Sequence, residues 1–287
     1  IGLTIDAEEA DRLELSLEVI AAIADAPSLA GWDGLGMAIQ AYQKRAPAVV
    51  QWADALGART ARKIAVRLVK GAYWDSEIKH AQEEGLSDFP VFTRKEATDV
   101  CYLVCARQML SSANIAPAFA THNAVTLATL LEWVGDRRDV EFQRLHGMGE
   151  PLYREALRGS ELNVRVYAPV GGYRDLLPYL VRRLLENGAN TSFVHQFGDE
   201  NRDDRELMAD PVTLVSRTGG APHPYILLPR QLYGAERQNS EGFDLNDRAL
   251  IDFAENTVQS VVADMSRAAP LIGGVDREGT AAAVCDP

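Results

Sequence analysis

Eight residues, Arg67-Leu-Val-Lys-Gly-Ala-Tyr-Trp74, concentrate the chemical interest of this chain. If they close a strand, alternation puts Arg67 and Val69 on one face and Leu68 and Lys70 on the other. An arginine on an inward face is costly to bury unless a carboxylate or a ligand satisfies it. Arg67 therefore reads either as a structural ion pair with an acid on a neighbouring strand or as part of a binding site. Lys70 raises a Schiff-base reading, since a lysine amine inside a barrel can condense with a carbonyl; the plain alternative is a rim lysine.

His122 and His146 each follow an apolar run, as does Asp6, a set that could suggest a metal-dependent hydrolase. No His-x-His pair opens the first run and no bridging lysine or extra acid accompanies them, so a histidine bonded to a ligand or to backbone fits better. Arg182 and Arg183 are adjacent within Tyr179-Leu-Val-Arg-Arg-Leu-Leu-Glu-Asn-Gly188, and Glu186 is spaced to pair with either. Apolar residues flank the two arginines, so at least one is expected to face inward, where a guanidinium suits bidentate capture of a carboxylate. Tyr167 and Tyr173 bracket a Pro-Val-Gly-Gly loop and either wall a small-molecule pocket or pack on a rim.

The elements that must position these residues are short apolar runs alternating with amphipathic helical stretches. The runs are Ile1–Ile5, Leu35–Ile39, Ile64–Val69, Ala116–Ala120, Val140–Leu145 and Val164–Ala168. Helices are expected between them, one over about Lys95 to Leu110 and another over about Tyr173 to Asn187. Repeated strand–helix units imply parallel strands with right-handed crossovers, hence an α/β fold. No GxGxxG follows the first run, which argues against a dinucleotide-type open sheet. Asp6, Gln40, Lys70, His122 and His146 all fall at C-terminal strand ends, the face where barrel enzymes gather their chemistry. The expectation is most of a (β/α)8 barrel over residues 1–193, with a segment over 194–287 that contains one helix at 249–268.

Bulk properties narrow the function classes. A chain of 287 residues that is 47% hydrophobic can bury a large core. A formal net charge of −12 with no basic stripe disfavours nucleic-acid binding. Cys101 and Cys105 share a helix face, and with Cys285 they lack zinc-like spacing, so reduced thiols are expected. No stretch approaches the roughly 18 apolar residues of a membrane span, and no basic lead precedes Ile1, so any membrane contact is expected to be peripheral.

Eight ordered strings resemble the proline dehydrogenase domain of the proline utilization A family: IDAEEADRLE, QAYQKR, RLVKGAYWDSEI, FPVFTRK, FATHNA, EFQRLHGMGEPLY, VYAPVG and LVRRLLENGANTSF. Beyond Phe193, the strings ADPVT, PHPYILLPRQLYG and NSEGFDL resemble the connection toward that family's aldehyde dehydrogenase domain. The resemblance implies a distorted (β/α)8 barrel that binds FAD and oxidises L-proline to Δ1-pyrroline-5-carboxylate, with hydride passing from C5 to flavin N5 and electrons onward to a membrane quinone. It also implies a cytoplasmic protein peripheral at the inner face of the membrane, an aldehyde dehydrogenase domain in the parent chain, and a homo-oligomer. Arg67 is then expected near flavin N5, and Gln40, Val69, Gly71, Trp74, Thr93, Lys95, His122 and Glu186 as FAD contacts. Arg182 and Arg183 become the clamps on the proline carboxylate, while Asp6, Tyr167 and Leu145 complete the substrate pocket. The family's first two strands, with a substrate-site lysine, would precede Ile1. By this reading the barrel starts at about the third strand, and the 287 residues alone are expected not to fold stably.

Overall fold

The computed structural model describes residues 1–158, 161–188, 208–264, 270–277 and 279. Six parallel strands form one sheet: β1 (Leu3–Ile5), β2 (Leu35–Gln40), β3 (Ile64–Val69), β4 (Ile115–Ala120), β5 (Glu141–Leu145) and β6 (Asn163–Tyr167). Their order in the sheet is their order in the chain. A doubly wound sheet reverses direction at a switch point, and this one never does. Right-handed crossovers that always step the same way leave their helices on one face. The result is a part-barrel of the (β/α)8 kind, as expected from the alternating runs.

The helices are α1 (Leu13–Asp25), α2 (Ala46–Thr60), α3 (Trp74–Glu84), α4 (Lys95–Ser111), α5 (Ala124–Val134), α6 (Glu150–Ala156) and α7 (Tyr173–Gly188). Their boundaries have local causes. α2 has a proline in its first turn and stops at Ala61 in the left-handed region; α3 stops at Gly85 with φ +67°. Asn123 caps α5 by accepting the Thr126 N–H at 2.9 Å, which fixes the turn carrying His122.

Packing divides the sheet into two faces. On the helix side Ile64, Val66 and Leu68 of β3 are fully buried, and Ile115 and Phe119 of β4 lie beside them. They meet Val50 and Ala53 of α2, Tyr102, Cys105 and Met109 of α4, and Leu127 and Leu130 of α5. Burying one such leucine is worth about 1.5–3 kcal/mol. The opposite face is lined by small residues in register: Gly36, Ala38, Ala65, Ala116, Ala118 and Ala120. Arg67 rises from this row, between Ala38 and Ala118.

A second, smaller core gathers Tyr42, Ile78, Ala81, Phe89 and Val91. Ile226 and Leu228 pack against it, so residues 208–243 are joined to the sheet. This stretch includes α8 (Pro211–Arg217), capped by the Asp210 carboxylate. Contacts divide the chain into two compact units, Ile1–Phe243 and Asp244–Pro287. The second unit holds α9 (Arg248–Asp264), where the sequence predicted a helix over 249–268, and a short hairpin of Leu271–Ile272 with Val275–Asp276. Among the described residues no helix is long and apolar enough to cross a membrane.

Candidate active site

The sheet brings the C-terminal strand ends together. Asp6 follows β1 and Arg67 lies in β3, two strands away, yet Arg67 Nη2 donates to Asp6 Oδ1 at 2.5 Å. The guanidinium is one-fifth exposed and the carboxylate 70% exposed, so the pair stands at an open surface. The Tyr167 ring at the end of β6 lies 5.9 Å from the guanidinium carbon. Arg67 thus has both a carboxylate partner and an open approach.

α7 carries the two adjacent arginines to different neighbours. Arg182 stands over the Tyr73 ring at 5.4 Å, and Arg183 over the Tyr179 ring at 5.5 Å. Tyr73 also feels Glu8, Glu9 and Asp6; burial, above all, raises its pKa, and Arg182 opposes the rise. Tyr73 is therefore within electrostatic reach of Asp6 as well as stacked under Arg182 of α7. Arg183 and Arg144 both disfavour a proton on His122. With desolvation as the larger cause, they lower its pKa to about 4, so the ring is neutral. His122 Nε2 accepts the Leu145 N–H at 3.2 Å, which ties β4 to β5 and joins Leu145, itself buried, to the group.

The remaining expected residues with described side chains lie toward the same end. Gln40 is buried and donates from Nε2 to the Glu8 carbonyl at 2.6 Å. Gly71 adopts φ +132°, and any Cβ there would stand 2.5 Å from the Tyr42 ring, so only glycine fits. Trp74 is fixed by donating to the Phe92 carbonyl at 2.8 Å. Thr93 Oγ1 accepts the His223 N–H at 2.9 Å, and Lys95 Nζ lies 3.8 Å from Asp99 in the first turn of α4. Val69 is half-buried beside Gln40 in the register of β2 and β3. The side chain of Glu186 lies outside the described residues. Tyr173 is 76% exposed.

The competing chemistries find little support. Lys70 points to the helix side, away from Arg67, and is ion-paired with Asp99 of α4. His122 already uses one ring nitrogen as an acceptor, Asp6 is engaged by Arg67, and His146 is exposed. Among the described residues no three His, Cys, Asp or Glu side chains gather as a metal-binding group.

Two participants escaped the sequence reading. Tyr73 lay inside the quoted motif without a role. Glu77 is buried, with 4% of its surface exposed, and its Oε1 accepts from the Ala10 N–H at 2.7 Å and the Tyr42 hydroxyl at 3.3 Å. A usable signal existed: Trp74, Glu77, Ile78 and Ala81 are spaced i, i+3, i+4, i+7, which puts the carboxylate on the apolar stripe of α3.

The chain as a whole is similar to known proteins. Bifunctional protein PutA of Klebsiella aerogenes is 49% identical across the whole chain, which spans 23% of that protein. PutA of Escherichia coli K12 is 51% identical over 91% of the chain, here 21% of its length. A crystal structure of a mutant of proline utilization A from Bradyrhizobium japonicum superposes with a TM-score of 0.87 at 54% identity, covering 91% of this chain and 27% of that one. The chain thus spans about a quarter of the relatives it matches. The family model for proline dehydrogenase matches residues 1–196, which contain every strand of the sheet and both arginines of α7. This chain belongs to the proline dehydrogenase family.

Proposed function

We propose that this chain supplies much of a flavin-dependent proline dehydrogenase site, which oxidises L-proline to Δ1-pyrroline-5-carboxylate. The observation that carries this reading is Arg67, held by Asp6 and Tyr167 above a row of small side chains at the C-terminal strand ends. That surface suits FAD. Gly36, Ala38, Ala65 and Ala118 leave room for a flat ring, and the ammonium of Lys95 in the first turn of α4 suits a phosphate. Gln40, Arg67, Val69, Gly71, Trp74, Thr93, Lys95, His122 and Glu186 are the residues we assign to holding it. FAD, when bound, supplies the acceptor for the C5 hydride at its N5.

The chain's own residues do the rest. Arg182 and Arg183 bind the proline carboxylate, which leaves the ring free to present C5. Asp6, Tyr167 and Leu145 complete the pocket, and Asp6 keeps the Arg67 guanidinium in place. Arg67 would place positive charge beside the acceptor, which would take up the negative charge that the hydride carries away from C5. The neutral ring nitrogen lends its lone pair to the new C=N bond, and the N–H proton of the resulting iminium passes to solvent water. His122, neutral across the physiological range, adds no competing charge.

The two electrons then pass to a membrane quinone, and the parent protein works in the cytoplasm at the inner membrane face. The name "bifunctional" on the relatives, together with the strings after Phe193, supports an aldehyde dehydrogenase domain in the parent, for which a homo-oligomeric assembly is part of the same proposal. The test is a visible spectrum of the full-length parent before and after anaerobic proline. Flavin bands that bleach are expected; a folded protein without flavin, or flavin indifferent to proline, overturns the reading.

A further inference from the structure

The loop that follows β1 carries Asp6, and it is held at three points. Gln40 Nε2 binds the Glu8 carbonyl at 2.6 Å, Arg45 Nη2 binds the Ala10 carbonyl at 2.9 Å, and Glu77 Oε1 receives the Ala10 N–H at 2.7 Å. Both backbone groups of Ala10 are therefore claimed by side chains from other elements. Glu77 differs from the other two anchors in where it comes from. It sits on α3, the helix that directly follows β3 and so belongs to the same β–α unit as Arg67.

The Asp6–Arg67 pair thus has a second connection behind it. One arm runs from Asp6 along the loop to Ala10, the other from Arg67 along β3 into α3, and Glu77 closes the circuit. Its other partner, the Tyr42 hydroxyl, belongs to the ring that presses on Gly71 at the end of β3. A carboxylate with 4% exposure on the apolar stripe of a helix is a costly choice for packing alone. Burial, reinforced by Asp11 and Glu9, raises its pKa, while the Ala10 N–H and the Tyr42 hydroxyl oppose the rise.

We infer that Glu77 is a positioning residue for proline oxidation: through the Ala10 N–H it fixes the loop that sets Asp6 against Arg67. The inference rests on the site reading given under the proposed function. Its test uses the full-length, flavin-loaded parent protein, four single variants and the Glu77→Ala/Ala10→Pro double variant. Glu77→Ala removes the acceptor. Glu77→Gln keeps an oxygen for Ala10. Ala10→Pro removes the donor without touching α3, at the first position of a short helical turn that proline tolerates. Asp6→Asn probes the site itself.

Misplacing a binding group by about an ångström can cost up to about 100-fold, so Glu77→Ala and Ala10→Pro are each expected to raise KM for proline about tenfold, with kcat within about threefold. Glu77→Gln is expected to restore KM to within about threefold, and the double variant to be no worse than Ala10→Pro alone. If Asp6→Asn raises KM while Glu77→Ala and Ala10→Pro leave it unchanged, the inference fails and the site reading stands. If Asp6→Asn also leaves KM unchanged, the site reading falls and takes the inference with it. Should Glu77→Ala not fold, Ala10→Pro decides: an unchanged KM in that variant overturns the inference.

Discussion

On β3, Ile64, Val66 and Leu68 are fully buried beneath the helices, while Ala65, Arg67 and Val69 on the opposite face stay half-buried. Both sets come from one six-residue segment, and period-two alternation is all that separates them. The helix-side residues are chosen for volume and apolarity. Those on the other face are small, or polar with named partners. One face specifies that the chain folds, and the other specifies what can lie against it. Changes on the two faces should therefore fail in different ways.

The largest effect is expected at Phe119, fully buried on the helix side with its ring centroid 6.1 Å from that of Phe142. Phe119→Ala should cost about 3–5 kcal/mol in denaturant unfolding of the parent, with proline kinetics of the folded fraction within about threefold. A large change in KM without loss of stability would break the comparison.

The pH dependence of stability comes next. His122 has a folded pKa of about 4 against an unfolded value near 6.5, so the unfolded chain takes up the proton first as pH falls. Stability is therefore lost between pH about 6.5 and 4, by up to about 3 kcal/mol, and no further from this group below that. Glu77 has the opposite sign: its raised pKa gives stability that is full at low pH and declines as pH rises through the folded value. In His122→Gln the acid-side decline should flatten, as read from unfolding midpoints across that range.

Smaller in free energy is the carboxylate clamp. Arg182→Met or Arg183→Met should raise KM for proline by about 30-fold or more, the loss of one charge-assisted hydrogen bond, with little change in thermal midpoint. Unchanged KM in both variants would remove the clamp assignment. The smallest effect belongs to Lys70, a polar residue on the helix side. Because Lys95 Nζ, 3.8 Å from Asp99, still faces that carboxylate, Lys70→Met should shift stability by only about 1 kcal/mol and leave proline kinetics within about threefold. Borohydride trapping of a substrate carbonyl at Lys70 would contradict its placement.

How much of this could be read in the sequence depends on how local each signal is. The strands were legible because a parallel strand covered by helices is a continuous apolar run, and the polar residue that ends each run marks its C-terminal end. Asp6, Gln40, Lys70, His122 and His146 were located that way. The side Lys70 takes also followed from alternation, although its partner Asp99, 29 residues on, did not. Residues 208–243 hid their attachment to the sheet. Ile226 and Leu228 belong to a four-residue apolar run, Tyr225–Leu228, closed in by Pro224 and Pro229, and a run that short has no period to detect. Glu77 was passed over because an acid in the first turn of a helix ordinarily serves the helix dipole. What distinguishes it is the Ala10 N–H, which comes from 67 residues away.

The hydrogen bond from the Leu145 N–H to His122 also fixes a tautomer. With Nε2 occupied as an acceptor and the ring neutral, the imidazole proton resides on Nδ1. That nitrogen can then only give a hydrogen bond, so whatever comes to rest against it at this end of the sheet must present a lone pair.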